Sequence, residues 1–161
     1  MTATSRSATN LTITREFDAP HDLVWRAWTE KEHIAHWFGP EGFTARVNEN
    51  ELRTGGRFAY VMIGPDGKEY PGVSIYKEVS PQDRLVATDD FGDQFKGGNA
   101  DLPGPMLVTT TFEDAGTKTK VTISIEHASA SDKKKHEDLG VVAGWGSTLD
   151  KFERYVAGLN N

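Results

Sequence analysis

The chain has 161 residues, of which 37% are hydrophobic and 26% charged, a composition typical of one soluble globular domain. Its net charge of −6 disfavours a nucleic-acid-binding surface. The lack of cysteine excludes disulfides, thiol nucleophiles and cysteine-ligated metals, and it fits the reducing cytoplasm. No apolar run reaches about 18 residues, so the sequence predicts no membrane span and a cytoplasmic location.

The N-terminal third combines one strand with two short helices. Residues 1–10 are small and polar and are expected to form a disordered leader before a single domain over residues 11–159. Residues 11–17 alternate between apolar and polar, which predicts a half-buried strand with Arg15 as the one break in its apolar face. Helical spacing follows, and Thr29 with Glu32 has the spacing of a capping box that would begin a second helix at Thr29.

The stretch HIAHWFGP, residues 33–40, raises the question of a metal site. His33 and His36 are three residues apart on one short helix, so both could approach a metal ion. No convincing third ligand accompanies them, and the aromatic pair that follows is typical of a core. We therefore expect no metal site here, and we expect the helix to end at Gly39-Pro40.

From residue 43 the hydrophobic period changes to two, which predicts strands. The expected strands are 43–49, 56–63, 70–79, 84–91, 106–113 and 118–127. Apart from residues 92–105, the links between them are too short for helical crossovers, so the strands that they join must be antiparallel. The longest link, residues 92–105, is rich in Gly and Pro and is expected to be an ordinary surface loop or a mobile flap over a cavity.

The last segment, from residue 131 to residue 159, has apolar residues in steps of three and four, which predicts one long helix. Gly140, Gly144 and Gly146 fit poorly, so either the helix starts near Gly144 or something approaches its backbone closely. Trp145 is expected to anchor the helix on the sheet. The elements together predict an α+β fold, in which a seven-stranded curved antiparallel sheet wraps around the C-terminal helix and leaves a cavity.

Three stretches carry a resemblance to a known superfamily: ITREFDAPHDLVWRAWTEKEHIAHWFGP, GGRFAYVMIGPDGKEYPGVSIYKEVSPQDRLV and GWGSTLDKFERYV. They resemble the START-like, helix-grip superfamily (SRPBCC), and within it they are similar to the family named for the C-terminal domain of the activator of the heat-shock protein 90 ATPase. The resemblance implies a seven-stranded sheet gripping the long helix around a hydrophobic cavity. The superfamily includes lipid carriers, hormone-binding proteins, polyketide cyclases and chaperone regulators, so it implies function less well.

Candidate ligand-binding residues are those expected to face the cavity from the sheet or the helices. They are Trp37, Phe58, Tyr60, Tyr76, Phe91, Met106, Val108, Phe112, Trp145 and Leu149. Most of these could equally fill the core, but the polar atoms of Tyr60, Tyr76 and Trp145 need partners that a ligand could provide. If Asp89 points inward, it is the best general acid–base candidate; otherwise it sits at a strand end in water.

Three functions fit these features. The first is binding of a small apolar ligand in the cavity. The second is a protein-interaction module that regulates a chaperone or another partner, which would need a contiguous exposed apolar patch. The third is a cofactor-free enzyme of the cyclase or hydratase type, which would need a polar pair inside the cavity. The sequence lacks a Gly-x-Ser-x-Gly elbow and a P-loop, so we assign no catalytic residue and no cofactor and favour a non-catalytic role.

Overall fold

The computed structural model describes residues 2–6, 9–90, 106–138 and 140–160, with backbone only for 2–6, 89, 90 and 160. This part of the chain contains eight strands and four helices. In chain order they are β1 (Thr2–Arg6), β2 (Asn10–Phe17), α1 (His21–Thr29), α2 (Lys31–Trp37), β3 (Thr44–Asn50), β4 (Arg57–Ile63), β5 (Glu69–Ser80), β6 (Arg84–Asp90), β7 (Met106–Ala115), β8 (Lys118–His127), α3 (Ala130–Asp138) and α4 (Val141–Asn160).

The strands form one curved antiparallel sheet in the order β1-β2-β8-β7-β6-β5-β4-β3. Each of the strands β3 to β7 pairs antiparallel with the next one along the chain, as expected. The long helix α4 packs against β2 and against the two short helices. The predicted α+β helix-grip fold is therefore confirmed. In the described ranges, no helix is long and apolar enough to cross a membrane.

One edge strand was not expected. Residues Thr2–Arg6 fall in the predicted disordered leader, but they pair antiparallel with β2, with Thr2 opposite Arg15 and Arg6 opposite Leu11. The expectation of disorder is therefore wrong for these five residues. They extend the sheet to eight strands within the described chain because the otherwise open edge of β2 offers backbone donors and acceptors.

The break in the apolar face of β2 has a structural reason. Arg15 is only 8% exposed, and its Nη1 donates to Asp150 Oδ1 on α4 at 2.6 Å. The Glu153 carboxylate lies 3.8 Å from the same nitrogen. Arg15 therefore joins the first long strand to the C-terminal helix through an ion pair.

The two short helices differ from expectation at their junction. Helix α1 continues through Thr29, whose hydroxyl donates to the Trp25 carbonyl oxygen at 2.7 Å, so Thr29 does not cap the second helix. Helix α2 ends at Trp37, and Gly39 adopts a φ of +95°, which confirms that HIAHWFGP is a helix end. His33 Nδ1 lies 2.6 Å from the Tyr155 hydroxyl, so this histidine helps to join α2 to α4.

The predicted single C-terminal helix is in fact two helices, α3 and α4. Gly140 lies between them with a φ of +86°, a conformation that ends helices and that glycine adopts at little cost. A Cβ atom built at Gly144 or Gly146 would meet nothing within 4 Å. Close approach to the helix backbone is therefore the wrong explanation for these glycines, and α4 begins before Gly144.

These glycines give a paired prediction. We expect Gly140→Ala to lower the free energy of unfolding by about 1 kcal/mol, because alanine resists positive φ. Gly144→Ala should raise it by up to about 1 kcal/mol, because alanine favours a helix interior and its methyl group meets open space. Urea unfolding of both variants measures the two changes. Changes of the same sign would contradict the assigned helix boundary.

The residues that anchor the long helix lie one to three turns after Trp145, the predicted anchor. Leu149, Phe152 and Val156 are fully buried on one face of α4. Trp145 is only partly buried and stacks on Trp28 of α1, with ring centroids 6.3 Å apart and planes 2° apart. Trp145 therefore packs at the edge of the core, where it faces a cavity.

Candidate ligand cavity

A cavity of about 150 Å³ lies between the inner face of the sheet and the helices. Strands β4 to β8 form one wall, and the helical segments form the other. Its described lining residues are Trp28, Ile34, Trp37, Phe38, Phe58, Tyr60, Ser74, Tyr76, Leu85, Ala87, Thr88, Met106, Val108, Thr110, Ile125, His136 and Trp145.

The strand register places one row of side chains across the sheet wall. Tyr76 pairs with Ala87, Ala87 with Val108, and Val108 with Ile125, so all four project to the same face. Ala87 contributes only a methyl group between two larger neighbours. This small side chain leaves space at the middle of the wall.

Aromatic rings form much of the remaining wall. Phe38 packs edge-on against Phe58 and Tyr60, at centroid distances of 5.7 and 4.9 Å. Tyr60 lies across β5 at Gly72, where an added Cβ atom would fall 2.4 Å from the tyrosine hydroxyl oxygen. Glycine at this position therefore allows the Tyr60 ring to lie where it does. Such a surface favours a flat, apolar ligand.

Tyr76 contributes a buried phenol whose proton is already engaged. Its hydroxyl donates to Asn50 Oδ1 at 2.7 Å, and Asn50 Nδ2 donates to the Thr29 carbonyl oxygen at 2.6 Å. Burial raises the pKa of Tyr76 to about 12, and the hydrogen bond from Tyr76 to Asn50 offsets only part of this rise. Tyr76 is therefore neutral at physiological pH, and its hydrogen bond to Asn50 holds its ring in place in the cavity wall.

His136 of α3 brings a second polar group to the cavity. Its Nδ1 lies 2.9 Å from Nε2 of His127, and Nδ1 of His127 lies 2.9 Å from the Thr9 carbonyl oxygen. His127 is 3% exposed. Burial, together with the neighbouring His127, lowers the pKa of His136 to about 4. The imidazole of His136 is therefore neutral at pH 7.

The described residues contain no group of three or more His, Asp or Glu side chains arranged to hold a metal ion. His33 and His36 both pack against Tyr155, the first through a hydrogen bond and the second by ring stacking at 5.2 Å. Both histidines therefore contribute to the contact between α2 and α4.

Most of the predicted ligand-binding residues meet at this cavity. Seven of them line it: Trp37, Phe58, Tyr60, Tyr76, Met106, Val108 and Trp145. Two others lie in the core instead: Phe112 packs edge-on against Trp25 at 5.1 Å, and Leu149 is fully buried. Phe91 and the proposed flap, residues 92–105, lie outside the described residues. Asp89 pairs through its backbone with Ser74 and Met106, but its side chain is likewise outside the described part.

Several lining residues were not predicted from the sequence. Trp28 has the spacing of an inward-facing residue of α1, but this spacing does not show that it lines the cavity. Ser74 and Thr110 are polar residues on the inner face, which a search for apolar alternation passes over. His136 carried no signal, since its significance depends on His127 and Thr9, which meet it only in the folded chain.

The curved sheet, the long helix and the cavity between them define a protein of the helix-grip class. Residues 18–157 match the family described as Activator of Hsp90 ATPase homolog 1-like protein, and the chain belongs to this family. No significant match was found among curated proteins.

Solved structures resemble the chain over nearly its whole length. A protein from Arthrobacter aurescens, solved by NMR, is 25% identical with a TM-score of 0.88, covering 97% of this chain and 91% of that one. A crystal structure from Nitrosomonas europaea is 28% identical with a TM-score of 0.79, covering 96% and 97%. A protein from Mycobacterium smegmatis, 24% identical with a TM-score of 0.82 and 99% coverage of both chains, shows the same fold.

Proposed function

We propose that the protein binds a small hydrophobic molecule, about the size of one substituted ring, in the cavity between the sheet and the C-terminal helix. The observation that carries this proposal is the cavity itself, about 150 Å³ in volume and lined mainly by aromatic and aliphatic side chains. An apolar protein cavity of roughly this size can hold benzene. Larger ligands would need a site above about 300 Å³.

The two other functions have weaker support. The large apolar side chains exposed in the described chain are Leu52 in the loop after β3, Val73 on β5, Leu107 on β7 and Leu159 on α4. A protein-interaction module, such as the family's name suggests, would be better served by one contiguous patch. A cyclase or hydratase would need a polar pair that acts on the substrate, whereas the Tyr76 hydroxyl proton is bound to Asn50 and Nδ1 of His136 is hydrogen-bonded to His127.

Filling the cavity tests the proposal. Ala87 lies at the middle of the sheet wall, so Ala87→Phe should occupy the cavity. We expect toluene to shift the backbone amide signals of lining residues in ¹H–¹⁵N NMR spectra of the wild-type protein. The Ala87→Phe variant should lose this response while it keeps a folded spectrum.

Ala115→Phe is the matched control, because Ala115 lies at the exposed end of β7 and does not line the cavity. This variant should bind toluene as the wild type does. Failure of the wild type to bind toluene, or equal binding by Ala87→Phe, would argue against a ligand cavity. A protein partner that bound Ala87→Phe normally would support the interaction module instead.

A further inference from the structure

Thr110 places a hydroxyl group in an otherwise apolar row of the sheet. It pairs with Leu85 on β6 and with Ile123 on β8. The same row continues to Val79 on β5 and to Ile13 on β2. Thr110 is 6% exposed, and its two direct neighbours are also buried. These neighbours would suit the methyl group of a valine at least as well, so they do not account for a hydroxyl at this position.

The hydroxyl of Thr110 has no hydrogen-bond partner among the described residues, yet it is not one of the fully enclosed polar atoms that lack a partner. Its oxygen therefore keeps some accessible surface, and that surface opens into the cavity that Thr110 lines. A buried hydroxyl without a partner is unfavourable, because it has given up its hydrogen bonds to water. A ligand in the cavity can supply the missing hydrogen bond.

A ligand ring of the proposed size can reach Thr110 from the middle of the sheet wall. Ala87 pairs with Val108, two residues before Thr110 on β7, so Ala87 and Thr110 are diagonal neighbours on one face of the sheet. Such neighbours lie about 7–8 Å apart. A ring seated over the methyl group of Ala87 can therefore direct one substituent to the Thr110 hydroxyl.

The electrostatic character of the cavity limits what this substituent can be. None of the described lining residues is Lys, Arg, Asp or Glu. Burial, together with His127, lowers the pKa of His136 to about 4, so at pH 7 this imidazole brings no charge either. A ligand carboxylate or ammonium group would be desolvated without a described counter-ion in the lining, which is costly. A threonine hydroxyl can donate or accept, and an uncharged hydroxyl on the ligand can meet it in either direction.

We propose that Thr110 selects ligands in which a small apolar ring carries an uncharged hydroxyl group, through a hydrogen bond between the two hydroxyls. Thr110 is then the specificity-determining residue of the cavity, and the aromatic and aliphatic lining holds the ring. This inference rests on the proposed function and specifies its ligand class.

Three ligands built on one ring separate the contributions to binding in titration calorimetry. We expect p-cresol to bind the wild-type protein about fivefold more tightly than toluene, the effect of one net hydrogen bond. Benzoate carries a charge at pH 7 and should bind more weakly than toluene. Tighter binding of benzoate than of p-cresol would overturn the proposed ligand class.

Threonine variants test the assignment to Thr110. In Thr110→Val, which removes the hydroxyl and nearly keeps the shape, the affinity for p-cresol should fall to that for toluene, while toluene binding persists. Thr110→Ser keeps the hydroxyl and should keep the preference for p-cresol. Thr111→Val is the matched control, because Thr111 is the next residue of β7, projects to the opposite face and lies outside the cavity lining. It should keep the fivefold preference.

Urea unfolding without ligand provides a second readout. Because the Thr110 hydroxyl has no described partner, Thr110→Val should raise the urea midpoint, whereas loss of a hydroxyl bonded within the protein would lower it. Three results would overturn the role of Thr110 while leaving the apolar cavity in place: equal affinities of the wild type for toluene and p-cresol, a preference that survives in Thr110→Val, or a lower midpoint for that variant. If neither compound binds to the wild type, both this inference and the proposed function fail.

Discussion

Replacing Phe152 with alanine is expected to lower the free energy of unfolding by about 3–5 kcal/mol, the range for large-to-small changes at buried aromatic residues. Phe152 is 0% exposed. Its ring packs edge-on against Phe17 of β2 at 4.9 Å, Trp37 of α2 at 4.8 Å and Trp28 of α1 at 5.1 Å. One side chain therefore holds the long helix to the first long strand and to both short helices.

Two variants on the same helix control for local effects. Leu159 is 38% exposed, so Leu159→Ala should change the stability by less than about 1 kcal/mol. Trp145→Ala should cost less than Phe152→Ala, because Trp145 is only partly buried. Urea unfolding with a fitted slope measures all three. A larger loss for Trp145→Ala than for Phe152→Ala would restore Trp145 as the anchor.

The helix-grip architecture followed from local signals. Period-two segments joined mostly by short links favour antiparallel pairing, which can be predicted without tertiary information. The eighth strand did not follow, because nothing in its small polar residues marks Thr2–Arg6 as a strand. That strand forms by pairing with the free edge of β2, which is a property of the assembled sheet.

Two elements were predicted wrongly because a local sequence pattern fits more than one structure. The spacing of Thr29 and Glu32 fits a capping box, yet the Thr29 hydroxyl bonds back to Trp25 within α1. The predicted helix was extended back to residue 131, although α3 carries no apolar residue after Ala130 that would continue the apolar face of α4. Gly140 lies between the two helices with a positive φ, and a sequence does not show which glycines adopt a positive φ.

The candidate site was predictable where it depends on strand parity and not where it depends on distant contacts. Inner-face parity identified Phe58, Tyr60, Tyr76 and Val108 as lining residues. The alternation of side chains along a strand does not distinguish a cavity wall from a filled core. For this reason Phe112, which packs against Trp25 in the core, was predicted as a lining residue. His136 reaches its place through His127, nine residues away, and through Thr9, which lies 118 residues before His127. This chain of hydrogen bonds exists only in the folded protein.

The pair formed by His127 and His136 makes the free energy of unfolding vary with pH in the mildly acidic range. The usual pKa of histidine is 6.5, and burial and His127 lower that of His136 to about 4. Between these values the unfolded chain binds a proton at this site and the folded chain does not, so lowering the pH favours unfolding. The stabilisation that comes from the lowered pKa of His136 is fully present above about pH 6.5 and fully lost below about pH 4. We expect a loss of about 1–3 kcal/mol across this window.

Urea unfolding at several pH values between 4 and 7 measures this loss. His136→Phe should flatten the curve, because phenylalanine binds no proton in either state. His36→Phe is the control, because His36 is exposed and lies outside the cavity lining. It should follow the wild type, since it leaves the buried pair intact. Carboxylates that titrate near the acid end are common to all three proteins, so the difference between their curves isolates His136. Parallel curves for the wild type and His136→Phe would show that this imidazole takes up its proton as readily in the folded chain as in the unfolded one.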